Sequence, residues 1–242
     1  MGLPLSLLYL LRPALAELRR AARPVRALGL GYPDVVAGAD ELGALFGEAL
    51  SGPLPLRAGG REIRRRHGFP DGEVVETRAL FAALGVALEC IDVQPESGVD
   101  RVVDLNRPLP AELVGRYGLV LDPGTIEHCF NIGQAMMNAA QAVALGGYIA
   151  HVSPLSMFNH GFYNLNPTFY HDFYGDNGFQ LQFMNGLAAQ QGAGAFFDVT
   201  PVLRFSGVPD NSVLLVIARR VAERVLRWPV QSKYRGAAGT AA

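Results

Sequence analysis

The chain has little charge and little cysteine, and each shortage narrows what it can be. Only 18% of its 242 residues are charged, and 21 Lys and Arg against 22 Asp and Glu give a net charge of −1. No field of one sign favours nucleic acid or an anionic membrane surface, so the expected partner is a small or neutral molecule. The two cysteines, Cys90 and Cys129, sit in or beside apolar segments. They fit buried thiols in a reducing compartment, hence a cytoplasmic location, rather than a disulfide framework. No apolar run reaches the roughly 18–20 residues that span a bilayer. Met1 to Leu11 is apolar, but it has no basic residue before it and no cleavage site after it. It reads as a docking helix and a candidate dimer contact, not as a signal peptide. Internal repeats are absent. What is plentiful is apolar content, 50% of the residues, ample for the core of one large domain.

The clearest organisation lies between Tyr117 and Asn166. Tyr117-Gly118-Leu119-Val120-Leu121 is an apolar run of strand length, stopped by the turn sequence Asp122-Pro123-Gly124. Asn131 can cap a helix with Gln134 three positions on. Ile132, Met136, Ala139, Ala140 and Val143 then recur at helical spacing until Gly146-Gly147. Tyr148 to Ser153 reads as a second strand, ended by Pro154. Strand, helix and strand with short joints make a βαβ unit, whose strands are parallel and whose crossover is right-handed. Chemistry is therefore expected beyond the carboxyl ends of those strands, at Asp122 to His128 and at Pro154 to Pro167.

Before this unit, Leu3 to Arg20 reads as an amphipathic helix bent or restarted at Pro13. Val25 to Leu30 is a strand that runs into Gly29-Leu30-Gly31-Tyr32-Pro33. Gly29 and Gly31, two apart, let the backbone approach a ligand, although a plain tight turn would use them equally. Ala39 to Leu50 is a helix. Ser51 to Gly72, rich in Gly and Pro, carries Arg64-Arg65-Arg66-His67, read either as a solvated face or as a lid that meets a negative substrate group. Glu73 to Leu84 is a helix closed by Gly85, and Val86 to Ile91 is a strand ending in Asp92. A carboxylate at that strand tip is placed to accept hydrogen bonds from ribose hydroxyls. Arg101 to Val103 is a shorter strand. Pro167 to Asn177 is a helix rich in aromatics, and Phe179 to Asn185 and Ser212 to Ala218 are strands that can form an antiparallel edge. A short helix can follow Val221. The domain division read from this pattern is an N-terminal helix over 1–22, an α/β domain over 23–230 and a flexible tail over 231–242.

From Arg23 to Ala218 this order of strands and strand-end residues resembles the class I S-adenosylmethionine-dependent methyltransferases. The resemblance is strongest from Asp104 to Phe179, through Asp104-Leu105-Asn106, Tyr117 to Asp122, Gly124-Thr125-Ile126-Glu127-His128 and His160-Gly161-Phe162-Tyr163. It implies a Rossmann-like seven-stranded sheet, parallel except for one late strand, with helices on both faces. It also implies S-adenosylmethionine as cofactor and a small-molecule acceptor. In that likeness Gly29 and Gly31 lie against the methionine part of the cofactor and Asp92 holds the ribose. Asp104 and Leu105 meet the adenine, and the loop with Asp122, Gly124 and Thr125 runs past the methionine moiety. The likeness departs at Ala27, where the family usually carries an acid, and at Pro33, where it usually carries a third glycine. A non-catalytic binding or scaffold protein of the same fold is the alternative.

Transfer to a hydroxyl also needs a base. His128 and His160 fall on the two carboxyl-end loops of the central unit. His160 is the first candidate, with Tyr163 beside it, and the alternative for either histidine is a structural hydrogen bond. Glu127 reads as a loop-bracing carboxylate. The spacing of His151, His160 and His171 fits no ligand motif, so no metal is expected. In the aromatic run Phe158, Phe162, Tyr163, Phe169, Tyr170, Phe173 and Tyr174, part must be core, and the rest can wall a pocket for an apolar or sugar-like acceptor.

Overall fold

The structure is a computed structural model and describes residues 2–20, 24–50, 52–96, 98–188 and 194–235. In chain order it runs β1 (Gly2–Leu3), α1 (Leu5–Arg19), β2 (Val25–Leu30), β3 (Asp34–Val35), α2 (Ala39–Phe46), α3 (Gly60–Arg66), α4 (Thr77–Ala83), β4 (Val86–Asp92) and β5 (Arg101–Val102). It continues with β6 (Tyr117–Asp122), α5 (Ile132–Ala142), β7 (Val143–Pro154), α6 (Pro167–Asp176), β8 (Phe179–Ala188), β9 (Ala195–Phe197) and β10 (Val213–Arg220).

Alternate residues of the central strands are buried on opposite sides of one sheet. Ala27, Cys90, Leu119, Leu121, Ala150, Leu215 and Ile217 enter a core shared with α1, α2 and α4. Leu28, Ile91, Val120, Ile149, Leu214 and Val216 enter a second core shared with α5 and α6. A sheet covered on both faces reads as nearly continuous apolar runs, as these strands do. The fold is thus a Rossmann-like, mostly parallel sheet with helices on both faces.

The sheet has eight strands in the order β5-β4-β2-β6-β7-β10-β8-β9, one more than the seven expected. The pairs β2–β4, β2–β6, β4–β5 and β6–β7 are parallel. Two strands run against the rest, β10 and the additional β9. The late antiparallel pair is also not an edge. β10 is inserted between β7 and β8, and its apolar run Leu214 to Ala218, fully or almost fully buried, matches that interior place.

Local physics accounts for the other shifts. α1 runs on through Pro13, which is exposed, and presses Leu7, Leu8, Leu11 and Leu15 into the core, each worth about 1.5–3 kcal/mol of burial. α4 starts four residues later than expected. Val74 and Val75 are buried in extended chain, Val75 bridges Leu56, and Glu76 caps the helix by accepting from the Ala79 N–H at 2.8 Å. α5 is capped as expected, with the Asn131 side-chain Oδ1 accepting from the Gln134 N–H at 3.3 Å. β7 begins at once after α5, before the glycine pair, and a register shift against β6 absorbs the irregularity. Gly147 must be glycine there, because a Cβ would lie 3.0 Å from the carbonyl oxygens of Tyr117, Gly118 and Ala144.

From Val221 to Gln231 the chain forms no helix, and a single short turn follows at Ser232–Tyr234. Asn177 holds the chain through the Arg227 N–H (2.7 Å) and carbonyl (3.0 Å), and Trp228 rests on Gly133, where a Cβ would be 2.7 Å from the ring. Residues 236–242 of the expected tail lie outside the described residues.

Candidate active site

β2, β4, β5, β6 and β7 are parallel, so their carboxyl ends share one edge of the sheet. That edge collects Gly31, Asp92, Asp104, the 122–128 loop and the 155–163 loop. At its centre the Gly31 N–H donates to the Ile91 carbonyl at 2.7 Å, and the Thr125 hydroxyl donates to the Leu30 carbonyl. Gly31 has φ +75°, and a Cβ on it would lie 3.2 Å from Thr125 Oγ1 and 3.5 Å from Asp92 Oδ2. Three adjacent strand ends therefore converge on one residue without a side chain. Asp92 Oδ1 accepts from the Gln94 N–H at 3.0 Å. Gly29, two residues back in β2, is packed against Cys90, with 3.1 Å from a Cβ to the sulfur. Ala27 is fully buried in the core.

Asp104 Oδ1 accepts from both the backbone and the side-chain N–H of Asn106, at 2.9 and 2.8 Å. These bonds hold its carboxyl below the ordinary carboxylate range. The loop behind it hangs on Asn138 of α5, which sequence reading missed. Its amide donates to the carbonyls of Leu105 (3.0 Å) and Arg107 (2.7 Å) and accepts from the Leu109 N–H (3.0 Å). The signal was present, since Asn138 is a polar residue on the apolar face of α5 between Ala135 and Ala142. Leu105 itself is buried.

Asp122 is fully buried and faces inward. Its Oδ1 accepts from the Thr125 and Ile126 N–H groups at 2.8 and 3.3 Å, and its Oδ2 meets His151 Nδ1 at 2.7 Å. It shapes the loop in which Gly124 takes φ +96°. His151 Nε2 meets the Tyr174 hydroxyl at 2.5 Å, and Ser153 pairs with Tyr170 at 2.5 Å. Burial, followed by the charge of Asp122, raises both tyrosines well above their ordinary range, so they keep their protons.

Glu127 is different. It lies in the short turn Ile126–His128, is fully buried, and neither carboxylate oxygen has a hydrogen-bond partner, so it does not brace the loop through hydrogen bonds. Burial, and then the charge of Asp122, push its carboxyl up to about 9. Its neighbours are His128 and His160, whose rings lie 5.2 Å apart. Burial lowers both histidines from their ordinary value, with His160 adding to the effect on His128. The Tyr163 hydroxyl donates to the Phe130 carbonyl at 2.8 Å and so ties the two loops together. His151, His160 and His171 are not a set. His151 is enclosed by Asp122 and Tyr174, and His171 pairs with Asp172 at 2.8 Å.

The arginine run is not a loop but α3. Arg64 donates to the Val36 carbonyl at 2.6 Å and to that of Pro70 at 2.8 Å, whereas Arg65 and Arg66 are exposed. His67, at its end, is near enough for His160 to help lower it to about 4, after burial. The aromatic run divides as expected. Tyr170, Phe173 and Tyr174 are core, while Phe158 and Phe162 are exposed, with Phe130 edge-on to Phe162 at 5.5 Å. Two shallow hollows elsewhere, one lined by Ala39, Leu54 and Val75 and one by Leu15, Phe46 and Leu84, include none of these site residues.

The strand order and its converging loops define a Rossmann-like protein whose strand-end loops meet at the carboxyl edge of the sheet. Neither a family profile nor a characterised protein sequence matches the chain. Solved structures that resemble it include the CurJ carbon methyltransferase, at 10% identity and TM-score 0.43 over 83% of this chain and 50% of that one. Another is the trans-methyltransferase CalH in complex with S-adenosylhomocysteine, at 16% and 0.42 over 87% and 55%. A third is the 16S rRNA (adenine(1408)-N(1))-methyltransferase from Catenulisporales acidiphilia, at 12% and 0.38 over 88% and 94%. The chain spans about half the length of the first two. Likeness at these scores carries no argument about activity.

Proposed function

We propose that this chain transfers a methyl group from S-adenosylmethionine to an oxygen or nitrogen atom of a small molecule: a sugar, a glycan or a secondary metabolite. The observation that carries the proposal is the convergence of Gly31, Asp92 and Thr125, in which a bare backbone, a carboxylate and a hydroxyl meet from three adjacent strand ends. The donor set fits the adenosine end of the cofactor. Asp92, with Oδ2 turned toward Gly31, would take the ribose hydroxyls, and Asp104 with Leu105 would take the adenine. Gly29, Gly31, Gly124 and Thr125 would line the methionine end, with Asp122 fixing their loop from beneath.

When bound, the cofactor supplies a sulfonium methyl whose leaving group departs without protonation. What remains for the protein is to align the acceptor and exclude water. Phe130, Phe158 and Phe162 offer an apolar wall beside the crevice. His160, held neutral near pH 7 by burial, is the first candidate to accept an acceptor proton, and His128 is the second. Tyr163 positions the loop that bears His160. One observation favours the alternative of a non-catalytic binding protein: buried Ala27 offers no carboxylate to the cofactor's ammonium.

Isothermal titration of the purified protein with S-adenosylmethionine and with S-adenosylhomocysteine tests the reading. Micromolar binding is expected for both, and Asp92→Ala should lose it while keeping the wild-type circular dichroism spectrum. A folded wild-type protein that binds neither would leave the scaffold alternative standing, and undiminished affinity in Asp92→Ala would remove the ribose assignment.

A further inference from the structure

Glu127, His128 and His160 each offer one donor atom, and the three atoms lie within 4.8 Å of one another. Glu127 Oε1 is 4.0 Å from His128 Nε2 and 3.7 Å from His160 Nε2. Independently of that spacing, Glu127 is fully buried and both of its oxygens lack a hydrogen-bond partner. Leaving a buried polar group unmet costs about 1–3 kcal/mol. The same loop satisfies Asp122 completely, so donors are not scarce there.

We propose that these three side chains form a two-histidine, one-carboxylate site for a first-row divalent cation of the zinc, iron(II) or manganese class. Imidazole nitrogen together with carboxylate oxygen suits these ions, whereas calcium and magnesium take oxygen ligands. Around a centre with bonds of about 2.0–2.2 Å, neighbouring ligand atoms stand roughly 3.0–3.6 Å apart. The two carboxylate–imidazole spacings, 3.7 and 4.0 Å, exceed this by at most a few tenths of an ångström, and all three donor atoms lie within 4.8 Å of one another, within reach of rotations of two rings on loop ends. The His128 and His160 side chains remain 46% and 27% exposed, so the cation would keep an outward face. Three protein ligands with an open position is the arrangement of a working site rather than a structural one. The site stands on this geometry whether or not the chain transfers methyl groups. In a methyltransferase, the open position beside the exposed phenylalanines would bind the acceptor hydroxyl and lower its pKa, and His160 would be a ligand instead of the base.

The test is titration of chelator-treated, full-length protein with Co²⁺ and with Zn²⁺ alone, followed by visible absorption of the cobalt form and by calorimetry. No cofactor is added, so the result is separate from the cofactor titration above. One equivalent should bind. Glu127→Gln and His160→Gln should each weaken binding by more than about 100-fold, beyond the roughly 10–100-fold of a change outside the ligand set. His171→Gln, whose ring pairs with Asp172, should retain wild-type affinity. Folded wild-type protein that takes up neither cation would overturn the proposal, as would wild-type affinity in either ligand variant. Should Glu127→Gln fail to fold, His160→Gln decides alone.

Discussion

Two acid–histidine groups stand at the carboxyl ends of β6 and β7, and they are built in opposite ways. In the first, Asp122, His151 and Tyr174 are all fully buried and joined in a line by bonds of 2.7 and 2.5 Å. Tyr174 keeps its proton, and the His151 ring links its hydroxyl to Asp122. In the second, Glu127 is just as buried, yet its oxygens are unmet and its histidines face outward. Burial is therefore common to both, and satisfaction separates them. A closed network spends its polar atoms on the fold, while an open one leaves them for something that is not part of the chain.

The largest effect should come from breaking the closed group. Asp122→Ala strips the acceptor from His151 and from the Thr125 and Ile126 amides at once. A loss of about 3–5 kcal/mol in urea unfolding is expected, the range for removing one partner of a buried pair. A loss under about 1 kcal/mol would show that the network does not hold the two strands. Tyr174→Phe should come next. It removes only the hydroxyl that meets Nε2 and keeps the ring packed against Phe179, so the expected cost is about 1–3 kcal/mol. Equal unfolding midpoints for Tyr174→Phe and wild type would mean that the hydroxyl contributes nothing to stability.

The sequence showed the closed group only in outline. Strand ends, the glycine turn and the βαβ unit were legible because they are local, fixed by run length, turn residues and capping within a few positions. The position of Asp92 was legible for the same reason, since a carboxylate that ends a strand is a local pattern. His151 was read only as one of three histidines whose spacing fits no ligand motif. Its place in the apolar run of β7 did carry a signal, because a polar side chain at a core position needs partners. Which partners it finds depends on α6, and no spacing rule links α6 to β6. The short strand β9 and the helix α3 were hidden by the glycine and proline around them. The burial of Glu127 was not legible, because the residues packed against it come from the distant 155–163 loop, where a Cβ on Gly161 would be 3.0 Å from its Cγ.

Glu127→Gln sharpens the contrast, because it should cost the least. The amide has nearly the shape of the protonated carboxyl, and no bond is lost because none is made. In metal-free protein at pH 5 the two stabilities should agree within about 0.5 kcal/mol. The sign of the pH dependence follows from the raised carboxyl. The folded chain holds the Glu127 proton up to about 9, whereas an unfolded chain releases it above roughly 4.3. Wild-type stability therefore declines as pH rises through that window, and the glutamine variant, with no proton to release, does not share this decline. Urea unfolding of both proteins at pH 5, 7 and 8.5, with chelator present, should show the variant drawing ahead as pH increases. A variant less stable than wild type at every pH would mean that Glu127 makes a bond that holds the fold, and the contrast between the two groups would fail.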